Sequence, residues 1–237
     1  MILSVSGLRR SFGRTIAVDD AQFQLEPGEV VGITGPSGSG KSTLLKLLAG
    51  VLEPDFGEIR LLGFDAIGAR RQAQERMAFV PHGAPLSEDA NGEKMLRRAA
   101  RMRGLSGAQA RHAVLQAAKA AQLDEGFSRP IEQLGRGQRR RLALAVALMH
   151  EPVLLLLDEI DQGLDHQERQ GMRAVLADLA RDRAIVLSSR WLEEIEAVCN
   201  RVLVLYRGRI VEDQRLSSDI SLIPLYQEAM ALRANKR

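Results

Sequence analysis

The chain runs from Val30-Val31-Gly32-Ile33-Thr34 directly into Gly35-Pro36-Ser37-Gly38-Ser39-Gly40-Lys41-Ser42 and then into Thr43-Leu44-Leu45-Lys46-Leu47-Leu48-Ala49. The first part is short and rich in β-branched residues, which is typical of a buried strand. The last part is rich in leucine and is followed by Gly50, a residue that commonly ends helices. The glycines between them favour a tight loop. The three parts therefore predict a strand, a loop and a helix in immediate succession.

The glycine-rich part follows the P-loop pattern of Gly, four residues, Gly, Lys, and Ser or Thr. Glycines let successive backbone N–H groups converge on phosphates, and the helix N-terminus adds its positive dipole end. Lys41 is expected to reach the terminal phosphates, and the Ser42 hydroxyl to ligate Mg²⁺. A glycine-rich turn that binds nothing is disfavoured by the flanking strand and helix. The predicted nucleotide-binding residues here are Gly35, Pro36, Ser37, Gly38, Ser39, Gly40, Lys41, Ser42 and Thr43.

A second chemical feature is the pair Asp158 and Glu159, which directly follows the apolar run 153–157. An acidic residue at the end of a buried strand needs a partner to offset its desolvation. Mg²⁺ is the partner we expect for Asp158, which would hold the metal through its waters. Glu159 is then expected to orient and polarise the water that attacks the γ-phosphate. In the alternative interpretation, the two acids only cap the helical turn after the strand.

Further apolar runs predict more strands of the same sheet at residues 77–80, 153–157, 184–187 and 201–206. Helical patterns at residues 166–181 and 191–198 lie between the later strands. Strands that alternate with helices favour a largely parallel sheet, so the predicted fold class is α/β.

Two parts of the chain depart from this alternation. Runs at residues 3–5, 21–25 and 58–62 are separated by turn signals and predict antiparallel strands. Residues 91–122 are rich in Ala, Arg and Gln and show no strand pattern, so we expect a helical insertion into the α/β core.

Composition limits the classes of protein that this chain can represent. It has 237 residues, 45% of them hydrophobic, which is enough to bury a large core without disulfides. Cys199 is the only cysteine, so no intrachain disulfide can form and a reducing cytoplasmic compartment is expected. No apolar run approaches the roughly 20 residues that span a bilayer, so a membrane role would depend on another chain.

Charge is concentrated in one region of the chain. The formal net charge is +3, but residues 93–141 contain twelve Lys or Arg against four Asp or Glu, a local net of +8. Such an excess is typical of a solvated helical face. It also suits a surface near anionic lipid headgroups or nucleic acid.

Other motifs narrow the kind of nucleotide-binding protein. Leu134-Gly135-Arg136-Gly137-Gln138, followed by three arginines, resembles the Leu-Ser-Gly-Gly-Gln signature of the ATP-binding cassette (ABC) ATPases. Phe12-Gly13 resembles the family's adenine-stacking loop, and Gly163-Leu164-Asp165 resembles its D-loop. The resemblance extends from Leu3 to about Val211. Residues 99–111 and 192–196 look most like the ATPases of ABC-2-type exporters.

The resemblance implies a RecA-like P-loop NTPase core with an N-terminal antiparallel β-subdomain and an inserted helical subdomain. The core would comprise residues 1–82 and 140–211, the helical subdomain residues 83–139, and a C-terminal extension residues 212–237. The last of these is expected to pack as a short helix or to fray. The resemblance also implies ATP and Mg²⁺ as ligands, with Phe12 and Val18 near the nucleotide.

In this family two cassettes enclose two ATP molecules, each held by one chain's P-loop and the other chain's signature helix. The resemblance therefore implies a second ABC ATPase subunit, identical or different, and a transmembrane permease subunit. Gly135, Arg136, Gly137 and Gln138 would then act on the nucleotide bound by the opposite subunit. The expected location is the cytoplasmic face of the inner (plasma) membrane.

Four positions depart from the family pattern. Gly135 replaces the signature serine and Arg136 the following glycine; Arg136 either reaches the opposing phosphates or points into water. His82 stands where the Q-loop glutamine is expected, as a catalytic and metal-sensing residue or as an ordinary loop histidine. Arg190 replaces the switch histidine, either stabilising transition-state charge or pairing with Glu159, which is the simpler outcome for two opposite charges.

These features predict an ATPase that binds Mg-ATP and hydrolyses it slowly, as the motor of a membrane exporter. The alternative is an ATP-gated regulatory or non-transport ABC protein with little turnover. An ABC ATPase acting on nucleic acid is disfavoured, because those proteins usually carry two cassettes or a long coiled coil.

Overall fold

The computed structural model describes residues 1–83, 86, 91–123, 125–217 and 220–234. Its strands are β1 (Leu3–Phe12), β2 (Thr15–Leu25), β3 (Val30–Thr34), β4 (Phe56–Leu61), β5 (Phe64–Asp65), β6 (Met77–Val80), β7 (Leu154–Asp158), β8 (Ala184–Ser188), β9 (Arg201–Tyr206) and β10 (Arg209–Arg215). Its helices are α1 (Lys41–Leu48), α2 (Arg70–Gln74), α3 (Gly92–Met102), α4 (Gly107–Ala120), α5 (Arg136–Leu148), α6 (His166–Leu179), α7 (Leu192–Val198) and α8 (Leu222–Ala234).

The central sheet has the strand order β10-β9-β3-β8-β7-β6. Pairing is parallel from β6 to β9, and β10 joins β9 in antiparallel orientation. Both faces of this sheet are covered, as β7 shows. Its Leu155 and Leu157 belong to the core cluster on the side of α3 to α8. Its Leu154 and Leu156 belong to the core cluster on the side of α1. Because both faces are buried, the strand is a continuous apolar run without alternation. The predicted α/β class is confirmed.

The antiparallel sheet has the order β2-β1-β4-β5. Its central strand pairs Leu3 with Leu25 of β2 and with Leu61 of β4. The predicted runs at 3–5 and 21–25 form ends of the longer strands β1 and β2, and the run at 58–62 overlaps β4, which ends at Leu61. The β1–β2 hairpin carries Phe12 at its tip. This sheet packs with α1 over one face of the parallel sheet, in the same core cluster.

Two helices, α3 and α4, follow β6 and precede the signature-like segment, in agreement with the expected helical insertion. Helix α5 continues from Arg136 to Leu148 and buries Leu142 and Leu144 against the main core. The division that we expect between residues 139 and 140 therefore falls inside a helix, so the insertion and the core share α5.

The C-terminal extension forms α8 in its described part. Leu222 is fully buried, and its backbone N–H donates to the Glu196 carboxylate at 2.5 Å. Of the two expectations for this segment, packing as a helix holds for residues 222–234. Within the described ranges, no helix has both the length and the apolar character needed to cross a bilayer.

Candidate functional site

The P-loop connects β3 to α1 at the carboxyl edge of the parallel sheet. Gly35 and Gly40 have positive φ angles of 147° and 107°. A Cβ atom at Gly35 would collide with the Leu205 carbonyl oxygen, and one at Gly40 with the Ala17 carbonyl oxygen. Both positions therefore require glycine, since no side chain would fit without moving backbone.

Lys41 lies folded over this loop. Its Nζ donates to the carbonyl oxygens of Gly35 at 2.8 Å and Pro36 at 2.9 Å, and the residue is only 5% exposed. Burial lowers the pKa of Lys41, and the negative charge of Glu159 opposes that effect. The ammonium group is thus held at the loop, close to the acidic edge of the sheet.

The P-loop suits a phosphate group because it contains an unpartnered hydroxyl and open space. The Ser39 hydroxyl oxygen is buried and has no hydrogen-bond partner among the described residues. Nothing lies within 4 Å of the position that a Cβ would take at Gly38, while Ser37 is exposed and Thr43 is half-buried. A phosphate group at this loop could therefore accept a hydrogen bond from the Ser39 hydroxyl and would find space beside Gly38.

Asp158 lies at the carboxyl end of β7 and is 1% exposed. Its Oδ1 accepts hydrogen bonds from the Ser42 hydroxyl at 3.0 Å and the Ser188 hydroxyl at 2.7 Å. Two of the three predicted metal-site residues, Ser42 and Asp158, are therefore in direct contact. The third, His82, contacts Glu159 instead. No group of three or more His, Cys, Asp or Glu residues suited to a metal is present among the described residues.

Glu159 follows Asp158 with a positive φ of 47°, an uncommon conformation for this residue type. Its backbone N–H donates to the Ser188 hydroxyl at 3.0 Å, which fixes the turn after β7. The carboxylate is therefore directed away from the strand, to the edge where Lys41 lies.

Two side chains approach the Glu159 carboxylate. Arg190 Nε lies 3.5 Å from Oε1, and Arg190 Nη2 lies 3.5 Å from Oε2. His82 Nδ1 lies 3.5 Å from Oε2. The three predicted catalytic residues are thus brought together. Of the two roles expected for Arg190, pairing with Glu159 is the one that this geometry shows. The distances are those of weak contacts, because strong charged hydrogen bonds are about 2.7–2.9 Å.

Sequence reasoning missed the residues that hold Arg190 in place. The Ser189 hydroxyl donates to the Asp161 carboxylate and accepts from the Trp191 backbone N–H at 3.0 Å. Ser189 and Asp161 are both buried. This pair ties the segment after β8 to the segment after β7. The signal in the sequence that could have indicated this contact is Asp161, an acidic residue two positions after Glu159.

Arg140 is a second missed residue. It is half-buried on α5, and the charges that oppose the lowering of its pKa by burial are Asp161, Glu159 and Asp158, in that order. The guanidinium group of Arg140 therefore faces the acidic run at the end of β7. This placement gives a structural reason for Arg140, one of the four arginines on α5.

Asp161 leads to a pH-dependent prediction. Burial raises the pKa of Asp161 above 3.8, Ser189 opposes the rise, and Glu194 and Glu159 add to it. Between its unfolded and folded pKa values the folded chain binds more protons, so this group's contribution to stability falls as pH rises. Asp161→Asn removes the titration and keeps an oxygen that accepts from Ser189. The unfolding free energy of this variant minus that of the parent should therefore increase in urea titrations as the pH rises from about 4, near the unfolded pKa of an aspartate.

The matched control for this measurement is Ala177→Asn on the exposed side of α6, which introduces the same amide without changing a titratable group and should show no such increase. A stability difference between Asp161→Asn and the parent that stays constant or declines over the same range would contradict the prediction.

The signature-like segment lies at the N-terminus of α5. The Gly137 N–H donates to Glu168 Oε1 at 3.0 Å, and Arg136 Nη1 lies 3.5 Å from the Gly163 carbonyl oxygen. Gly135 is the N-cap, and its N–H donates to Gln138 Oε1 at 3.2 Å. These contacts place the segment against the D-loop and the start of α6 of its own chain. Arg136 itself is exposed.

The two residues expected near adenine differ in their exposure. Phe12 is 47% exposed at the hairpin tip, with the Arg10 guanidinium 5.1 Å from its ring centroid. Val18 is fully buried in the core cluster beneath the antiparallel sheet. A side-chain role in binding adenine thus agrees with the placement of Phe12, whereas the burial of Val18 argues against direct contact.

Comparison with known proteins agrees with this geometry. The family model described as ABC transporter matches residues 18–162. The Nod factor export ATP-binding protein I of Paraburkholderia xenovorans (strain LB400) is 36% identical over 207 residues, which cover 87% of this chain and 68% of that protein.

Two solved structures share the whole fold. The structure of an ATP binding subunit of an ABC transporter matches with a TM-score of 0.84 and 26% identity, over 97% of this chain and 100% of that chain. A bacterial Atm1-family ABC exporter with ATP bound matches with a TM-score of 0.80 and 26% identity, over 98% of this chain and 41% of that one.

The P-loop between β3 and α1, the acidic end of β7 and the inserted helices together define an ATP-binding cassette. The chain belongs to the ABC transporter family.

Proposed function

We propose that this chain is the ATP-binding subunit of an ABC-2-type exporter that binds Mg-ATP and hydrolyses it slowly. The observation that carries the proposal is the meeting of Lys41, the Ser42–Asp158 pair and Glu159 at one edge of the sheet. The name of the relative from Paraburkholderia xenovorans, an export ATP-binding protein, supports the direction of transport.

Each residue of the site has a role that its position supports. Lys41 would exchange its two carbonyl contacts for phosphate oxygens, and the P-loop N–H groups would bind the same oxygens. Ser42 and Asp158 would hold Mg²⁺, which offsets phosphate charge when bound. Glu159 would accept a hydrogen bond from the attacking water and so orient it. The hydroxyl of Ser188 keeps Asp158 in place for this role.

Slow hydrolysis follows from three substitutions. Arg190 competes with water for the Glu159 carboxylate. His82 contacts the same carboxylate at Oε2. Gly135 lacks the hydroxyl that would contact an opposing γ-phosphate. Each loss of 1.36 kcal/mol of transition-state stabilisation lowers the rate tenfold, so a few weakened contacts are enough.

A second cassette would complete the nucleotide site. Gly137 is buried against Glu168 at the start of α6, whereas Arg136 is exposed and only weakly contacts the D-loop of its own chain. The exposed Arg136 guanidinium could then reach the phosphates bound by the partner as a charged donor. In a homodimer both sites would carry all the substitutions, whereas a heterodimer partner with an intact signature would complete this chain's site.

The transmembrane partner can be tested by co-purification. The tagged chain should retain an integral-membrane permease after extraction of the membrane with mild detergent, and ATP should alter the amount retained. A Phe12→Ala variant, impaired in binding adenine, should lose the response to ATP but keep the permease. Recovery of the chain without a membrane protein, in every nucleotide condition, would contradict the assignment to an exporter.

A second function, an ATP-gated regulatory subunit with little turnover, is favoured by the contact between Arg190 and Glu159. The doubly changed chain Arg190→His, Gly135→Ser separates the two. Export by an exporter should rise with restored turnover, whereas the output of a regulatory subunit should follow ATP binding and stay unchanged.

A further inference from the structure

The α3–α4 hairpin, residues 92–120, is strongly basic and takes no part in the nucleotide site. It contains seven Lys or Arg residues and one acid, Glu93. Glu93 forms an ion pair with Arg97, whose Nη2 lies 2.7 Å from Glu93 Oε1. The hairpin therefore presents a net charge of +6, and its only carboxylate neutralises a single arginine.

A cleft of about 290 Å³ lies between the end of α3 and the start of α4. This is close to the lower end of the roughly 300–1,000 Å³ typical of ligand pockets. The residues that line it are Arg97, Arg101, Ser106, Gly107, Ala110 and Arg111. The lining includes three guanidinium groups and no carboxylate.

Two of these guanidinium groups have no partner among the residues that the structure describes. The side chains of Arg101 and Arg111 make no hydrogen bond or ion pair there, and the Arg101 backbone carbonyl accepts one from the Gly104 N–H at 2.9 Å. Arg97 is offset by Glu93, but the unpaired charges of Arg101 and Arg111 repel each other, and an anion between them would relieve that repulsion. Arginine binds phosphate through two parallel N–H bonds, so the cleft is matched to a phosphate group.

The backbone at the cleft adds donors. Helix α4 is 14 residues long and begins at Gly107, within the cleft lining. The Ser106 side chain makes no capping hydrogen bond and the first turn holds no acidic residue. The first N–H groups of α4 are thus available to an anion, and the helix dipole favours one there.

The surroundings of the cleft favour a membrane surface as the source of the phosphate. The same hairpin carries two more exposed arginines outside the cleft lining, Arg98 and Arg103. Charge spread over a hairpin suits an array of headgroups better than one small ion. Met102, next to Arg101, is 79% exposed and can enter the apolar boundary of a leaflet. Residues 92–120 contain no Phe, Tyr or Trp on which a nucleic-acid base could stack.

We propose that this cleft binds the phosphate of an anionic phospholipid headgroup, so that the α3–α4 hairpin rests on the cytoplasmic leaflet. The contact would orient the cassette at the membrane independently of the permease. The proposal needs neither ATP binding nor hydrolysis.

The test measures binding of the purified full chain to vesicles of phosphatidylcholine, with and without one-third phosphatidylglycerol, by flotation at low and moderate salt. The parent should bind only the anionic vesicles. Arg101→Gln, Arg111→Gln should weaken binding by roughly 25-fold, about fivefold for each arginine near an anionic surface. Arg101→Lys, Arg111→Lys should lie between the two, because lysine keeps the charge and loses the paired donors.

The matched control is Arg71→Gln, Arg181→Gln, which removes two exposed arginines from other helical regions and should leave vesicle binding close to that of the parent. ATP binding by every variant is measured in parallel, so that failure of the lipid site is distinguished from failure of the nucleotide site.

Several outcomes would overturn the proposal. The first is that the control pair weakens vesicle binding as much as the Arg101→Gln, Arg111→Gln pair does. The second is that the lysine pair binds vesicles as tightly as the parent. The third is that the parent does not bind anionic vesicles. Binding of inorganic phosphate that depends on Arg101 and Arg111, without vesicle binding, would assign the cleft to a free anion. Tighter binding of an oligonucleotide than of vesicles would assign it to nucleic acid.

Discussion

Lys41→Ala should weaken ATP binding by at least about a hundredfold. The Lys41 ammonium lies at the P-loop and is almost fully buried. Water is therefore poorly placed to replace its hydrogen bonds to phosphate when the side chain is removed. A hydrogen bond to a charged group contributes about 1.5–3 kcal/mol, and loss of two such bonds to phosphate exceeds the 2.7 kcal/mol that corresponds to a hundredfold. Equilibrium binding of labelled ATP to the purified chain measures this change.

Lys46→Ala provides the control for that experiment. Lys46 lies in the last turn of the same helix, so its removal deletes the same charge from α1 away from the P-loop. This control should bind ATP as the parent does, with only a small loss of helix stability. Equal uptake of ATP by Lys41→Ala and the parent would remove the basis for the nucleotide site.

Arg190→His should raise the rate of ATP hydrolysis by about tenfold. Removal of the guanidinium frees the Glu159 carboxylate, and Glu159 is 15% exposed at its side chain while Arg190 is 49% exposed. Because the arginine is half exposed, water screens the pair, and we expect a gain of about 1.4 kcal/mol in transition-state stabilisation. Steady-state phosphate release at saturating Mg-ATP should show the change in kcat, with KM little altered.

Arg190→Lys is the informative control, because it keeps a positive charge beside Glu159 and should give little or no increase. Arg181→His controls for loss of an exposed arginine. A fall in kcat on Arg190→His would contradict the prediction. It would support the other role considered for Arg190, stabilisation of transition-state charge on the phosphates.

The features that could be predicted from the sequence are local ones. The strand-loop-helix around Lys41 depends on residues within one short segment, since glycines, β-branched residues and leucines each restrict their own backbone. The apolar run before Asp158 likewise predicts a buried strand with an acid at its end. For this reason β3, β6 and β9 match the expected bounds, and the bounds of β7 and β8 differ from the expected ones by no more than one residue at either end.

The neighbours of Glu159 depend on how distant strands pair. In the structure β7 and β8 are adjacent and parallel, with Asp158 opposite Ser188. That register brings the residues after both strands to one edge, where Ser189 meets Asp161 and Arg190 meets Glu159. The sequence indicated each strand but not their order or register, because pairing is set by packing of both faces against helices far along the chain.

The amino-acid pattern alone therefore determined that the chain has a P-loop, an acidic strand end and a basic helical insertion, since each is encoded by contiguous residues. Tertiary structure decided which side chains share a site. The contact of Arg190 with Glu159, the burial of Asp161 beside Ser189 and the cleft lined by Arg101 and Arg111 all join residues from separate elements. Their positions follow from the packing of the sheet and the helices, which no single segment specifies.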